Sequence, residues 1–188
     1  MKISSFNLVQ NNISFEKKLI AKTSVLSGDN FQSAFIYQLD RESDKDYFKK
    51  VLAEEGNAWK DGFLVYSLTN DMRANNDDFY VLEDSKENCL GFVVSRDYTD
   101  EFHKTHTTIR KLETAPIYSS RNKDRKIKNI GKALMDFMKK FKCEKNGNTL
   151  FISSPFLSAL EFYEKQGFEG DLKGCFLRNL NTDKQTEM

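Results

Sequence analysis

The chain has 188 residues, enough for one domain whose core needs no covalent staples. Its 29 Lys and Arg against 28 Asp and Glu leave a formal charge of +1, which excludes general nucleic-acid affinity but not a local basic patch. With 16 Phe and 7 Tyr it is not a disordered composition, and its three widely spaced cysteines (Cys89, Cys143, Cys175) read as reduced thiols of a cytoplasmic protein, not a disulfide framework or metal knuckle.

Residues 1–28 are polar and weakly patterned, and read as an N-terminal extension. "MKISSFNLVQNNISF" lacks the continuous apolar run of a secretion signal, and no window approaches a membrane span. "QSAFIYQL" (32–39) alternates as a strand with Phe35, Tyr37 and Leu39 on one face. "SDKDYFKKVLAEEG" (43–56) predicts a helix capped at Ser43, with Asp46 as the capping-box acid and Gly56 as the stop. Residues 58–74 lean towards a second helix. The acidic run "NNDD" (75–78) either attracts a cationic amine or is a solvated turn, the blander account. "DFYVLEDSKENCLGFVVSR" is a hairpin turning around Lys86 to Asn88. The two histidines, His103 and His106, then read as solvated loop residues.

"TTIRKLETAP" is a strand ended by Pro116. Ile109 and Leu112 are three apart, so they share a face only if the strand carries a bulge. Ile130, Ala133, Leu134, Phe137, Met138 and Phe141 then recur at helical spacing. "NTLFIS" (148–153) is a short apolar run suited to a strand buried on both faces. "SPFLSALEFYEKQG" (154–167) predicts a helix with Ser154 as cap, Pro155 in the first turn and Gly167 as the stop. "GCFLRNL" reads as a closing strand, and residues 181–188 as a polar tail. The order predicts an α/β (α+β) fold, a mixed sheet flanked by helices on both faces, over residues 29–180.

The chemistry gathers where Arg121, Lys123, Arg125, Lys126 and Lys128 precede the helix that Ile130 and Gly131 begin. Cations at a helix start are unfavourable on their own, because the free amides there already carry partial positive charge. Together they suit an anion: a pyrophosphate takes several amide donors at once, and a glycine admits it close to the backbone. The bland alternative is a solvated basic loop.

"KIKNIG" (126–131), followed at the expected separation by "ALEFYEKQGF", resembles the GNAT superfamily of acetyl-CoA-dependent N-acetyltransferases. The likeness covers residues 78–168. Lys126, Asn129 and Gly131 occupy the three defining places of the family's pyrophosphate motif; Asn129 stands where the family has glycine, and the link from the preceding strand is longer than usual. The resemblance implies acetyl-CoA as cosubstrate, with no metal. It would be held by Lys126, Ile127, Lys128, Asn129, Ile130, Gly131 and Lys132, with the amides around Leu112, Thr114 and Ala115 polarising the thioester. It also implies Glu113 as general base and Tyr163 as the acid that protonates the leaving thiolate, in direct attack by a primary amine without an acyl-enzyme. Each has a bland alternative. Glu113 at the sheet edge would pair with a lysine, and Tyr163 shares a helical face with Phe156, Ala159 and Leu160. The partners implied are acetyl-CoA and an amine acceptor, with neither nucleic acid nor membrane, in a monomer or homodimer. The rival reading is a GNAT-like module that binds CoA or a nucleotide as a sensor without turnover.

Overall fold

Short alternating segments and apolar runs build one sheet. The computed structural model describes residues 17–40, 43–44, 47, 77–119, 122–144, 149–153, 155–170 and 176–179. The strands are β1 (Lys18–Ser27), β2 (Asn30–Leu39), β3 (Asp78–Asp84), β4 (Cys89–Thr99), β5 (Thr105–Thr114), β6 (Ile127–Lys128), β7 (Thr149–Ser153), β8 (Phe168–Gly170) and β9 (Phe176–Asn179). Across the sheet they run β6-β1-β2-β3-β4-β5-β7-β9-β8. All neighbours are antiparallel except β5 and β7. A parallel pair needs a crossover, and helix α1 (Ile130–Met138) lies on it. Helix α2 (Leu160–Lys165) follows β7.

Both faces of the sheet are covered, which is why β3 and β4 read as nearly continuous apolar runs. On one face Val25, Ile36, Tyr80, Val93 and Ile109 pack with Leu134, Met135 and Met138 of α1. On the other, Leu39, Phe79, Val81, Phe92 and Val94 pack with Tyr47, a helical residue. Its hydroxyl donates to the buried Glu83 at 2.5 Å, and Glu83 also accepts from Lys17 at 2.5 Å. No helix among the described residues is long and apolar enough to cross a membrane.

The hairpin over 78–96 forms as predicted, with Asp84 Oδ1 accepting from the amides of Lys86 and Asn88 at 2.8 and 2.9 Å. The bulge demanded by Ile109 and Leu112 is present: Val94 pairs with Lys111 and Ser95 with Ile109, so Arg110 is the extra residue. Other expectations are corrected. Residues 18–27, read as part of an extension, form β1, whose polar side chains suit a sheet edge. The helix at 130 leaves α-helical geometry after Met138 and continues as a π-turn over Lys139–Glu144. The helix expected over 154–167 is a 3-10 turn at Leu157–Ala159 followed by the six residues of α2; Pro155 precedes it, and Ser154 lies outside the described residues. The helices expected over 43–56 and 58–74 also lie outside the described residues, apart from Ser43, Asp44 and Tyr47.

The two acids of the run, Asp77 and Asp78, are ion-paired within the fold. Asp77, its side chain fully buried, accepts from Arg96 and Arg110 at 2.6 Å each, and Asp78 accepts from Lys142 at 2.9 Å. His106 is not in a loop: it lies in β5, bonded to Asp100 at 2.8 Å and stacked on Tyr98.

Candidate active site

β5 and β7 pair only from His106 with Thr149 to Ile109 with Ile152. Past the bulge at Arg110, β5 runs on to Thr114, whereas β7 ends at Ser153. The two strands therefore part, and β5 keeps its ladder with β4 alone. The Ala115 amide bonds to the Leu90 carbonyl at 2.8 Å. Alternation along the antiparallel ladder then turns the amides of Leu112 and Thr114 away from β4, into the opening. This corrects the expected donor set: Leu112 and Thr114 are available, and Ala115 is committed to Leu90.

The start of α1 faces the same opening. Intrahelical bonding begins with the Ala133 amide on the Asn129 carbonyl at 2.9 Å, so the amides of Ile130, Gly131 and Lys132 have no intrahelical acceptor. Asn129 supplies the sharp entry with φ 64° and ψ 15°, a left-handed conformation that Asn tolerates better than most residues. The preceding Ile127 and Lys128 are tied into β6 against Ser27 and Leu26, and the Lys126 carbonyl accepts from the Gly28 amide at 3.2 Å. Ile127 and Lys128 are therefore a short strand along β1, with Lys126 just before it. Lys126 and Lys128 are exposed beside it. Lys132 is held by Asp136 at 2.5 Å, so its charge is partly spent within the helix.

Gly131 stands where the start of α1 meets α2 and β5. A Cβ there would lie 3.4 Å from Phe162 Cζ and 3.8 Å from Leu112 Cδ2. Those are ordinary van der Waals distances, so the start of α1 lies directly against α2 and the end of β5. Phe162 of α2 thus stands beside the start of α1.

Glu113 is half-buried on β5, opposite Phe92 of β4. Burial raises its pKa above the ordinary carboxylate value, and the charge of Lys111 partly offsets the rise. Tyr163 is 7% exposed and packs edge-on to Phe162 and Phe168. Burial first, and the Glu113 charge second, push its phenol up to about 12. β5 is interior to the sheet as a whole, but at Glu113 it has parted from β7 and is paired with β4 alone. The cysteines offer no rival nucleophile among the described residues. Cys89 and Cys143 are buried, and burial pushes the Cys89 thiol up to about 12, away from its reactive thiolate.

No protein-family model matches this sequence, and no curated protein matches it. Solved structures do. The ribosomal-protein-alanine N-acetyltransferase from Brucella melitensis biovar Abortus 2308 is 18% identical, with TM-score 0.53 over 73% of this chain and 93% of that one. The GCN5-related glucosamine N-acetyltransferase region of a fungal multi-domain GH3 beta-N-acetylglucosaminidase is 18% identical, with TM-score 0.51 over 76% of this chain and 18% of that one. AtaTR bound with AcCoA is 18% identical, with TM-score 0.53 over 81% of this chain and 98% of that one.

The chain has the GNAT acetyltransferase fold. Within this GNAT sheet, the parting of β5 from β7 leaves an opening beside Leu112, Glu113 and Thr114 of β5, with the start of α1 and Tyr163 close by. Ile127 and Lys128 form the short strand that leads into α1, and Lys126 precedes it. Phe162, beside the start of α1, is the residue that sequence reading passed over. Its signal was available: an aromatic beside Tyr163 in a helix opposed to a glycine-started helix.

Proposed function

We propose that this protein is an N-acetyltransferase that moves the acetyl group of acetyl-CoA to a primary amine by direct attack. The observation that carries the reading is the opening between β5 and β7, with amides on one wall, a helix start on another, and Glu113 and Tyr163 close enough to feel each other's charge. The amides of Ile130, Gly131 and Lys132 at the positive end of α1 suit the pyrophosphate, and exposed Lys126 and Lys128 add charge for a further phosphate. The Leu112 and Thr114 amides suit the thioester oxygen, which gains negative charge as the amine attacks.

Glu113 accepts a proton from the attacking ammonium, so that the neutral amine forms the new C–N bond. The C–S bond then breaks, and the coenzyme leaves as thiolate. Tyr163, held protonated by its surroundings, donates a proton to that sulfur; the nitrogen releases its second proton to solvent as the amide forms, and solvent reprotonates Tyr163. No acyl-enzyme is needed, in keeping with the buried, unreactive Cys89. The neighbour whose structure holds acetyl-CoA supports the choice of cosubstrate.

The test is free-thiol release from acetyl-CoA across a panel of small amines, peptides and protein N-termini. The reading predicts release that depends on one acceptor class and yields its acetylated product. Acetyl-CoA binding without release on any acceptor would favour the sensor reading.

A further inference from the structure

β1 lies near the edge of the sheet, and among the described residues its outer side is paired only at Leu26 and Ser27, by the two residues of β6. From Lys18 to Val25 no other described strand lies along it. In an antiparallel ladder alternate residues direct their N–H and C=O groups away from their partner, so this edge presents a row of backbone donors and acceptors. A groove of about 930 Å³ runs beside the same residues, between β1 and α1 with its π-turn. Phe137 and Phe141 form its apolar wall, their rings stacked with centroids 5.3 Å apart. Lys18 and Lys140 flank it, both exposed. Among the described residues its one carboxylate, Asp136, is already paired with Lys132 at 2.5 Å. The groove is thus positively charged at its rim, apolar inside, and bounded by a strand edge.

We propose that this edge and groove dock an extended acidic peptide segment of a partner protein, which adds to the sheet as a strand in line with β6. Six residues from Lys18 to Thr23 span roughly 20 Å, the length of an ordinary strand. Backbone bonds to β1 supply the affinity. Side chains on one face of the added strand reach Phe137 and Phe141, and carboxylates at its ends meet Lys18 and Lys140. Charge selects the partner. Lysines on an edge repel a second copy of the same edge, and the same lysines accept an acidic strand. The groove lies along β1, four strands across the sheet from β5, and uses none of the residues assigned to acetyl transfer, so the inference does not rest on that reading.

The experiment uses the full chain with a labelled octapeptide of alternating Glu and Val, and a Lys/Val peptide as control, followed by fluorescence anisotropy and amide hydrogen exchange. The acidic peptide is expected to bind, to weaken as salt rises beyond about 0.1 M, and to slow exchange at amides of residues 18–25. The basic peptide is expected not to bind. Lys18→Glu with Lys140→Glu should weaken binding at least about tenfold and leave the melting temperature and its response to acetyl-CoA unchanged. The proposal is overturned if neither peptide binds at millimolar concentration, if both bind alike, or if exchange slows elsewhere. It is overturned equally if the protein sediments as a dimer that protects these amides without peptide.

Discussion

Tyr163 stays protonated throughout the physiological pH range, because burial and the neighbouring Glu113 charge hold its phenol at about 12. A group so placed donates a proton but does not remove one. Tyr163→Phe keeps the ring that packs on Phe162 and Phe168. It should therefore lower kcat about 10²-fold while KM for acetyl-CoA barely moves. Near-normal kcat would make the residue core alone. Glu113 is perturbed in the opposite functional sense, as a base whose pKa is raised by burial. Its neutral form suits the fold better than its charged form. Its contribution to stability is therefore full below the unfolded carboxylate value and is lost as pH rises through the higher folded value. Glu113→Gln should thus be more stable than the native chain at neutral pH, with the difference vanishing near pH ~4. It should also cut turnover by about 10²- to 10⁴-fold and remove the acid limb of the pH–rate profile. Urea denaturation at several pH values, beside steady-state kinetics, checks both halves.

Among the elements, the π-turn after α1 carries the least expected interaction. Lys142, its side chain 4% exposed, donates to Asp78 and Asp97 at 2.9 Å each and ties the turn to β3 and β4. Burial lowers its pKa, but the two carboxylate bonds outweigh that and raise it overall. Asp97 is held in place by the Thr107 hydroxyl at 2.6 Å. Lys142→Met should lower stability by roughly 1–3 kcal/mol, since two charge-assisted bonds go while both carboxylates can rehydrate at their exposed sides. An unchanged denaturation midpoint would show the tether to be incidental. Such a contact is invisible in a sequence, because "KKFKCE" reads as the polar end of an amphipathic helix. What periodicity did carry was the apolar stripe of α1 and the need for a bulge between Ile109 and Leu112. It missed β1, where polar residues alternate with little contrast on an edge, and β6 and β8, which are too short to show a period. The site was legible in part: Glu113 and Tyr163 do lie near one opening. The commitment of the Ala115 amide and the packing of Gly131 on Phe162 depend on strand pairing and helix docking that no local pattern encodes.

At the scale of the whole molecule, one topological event organises the site. A parallel strand follows β5 for four residue pairs and then diverges, leaving an opening that the free amides of α1 and β5 share. Any ligand bound there contacts elements from the middle of the sheet and from both described helices, so binding should stabilise the fold as a unit. Thermal melting with and without acetyl-CoA is the most direct measurement of that claim. At about 100 times its dissociation constant, acetyl-CoA should stabilise the protein by roughly 2.7 kcal/mol, which for a chain of this size raises Tm by about 5–11 °C. An unchanged Tm at millimolar acetyl-CoA would contradict the account.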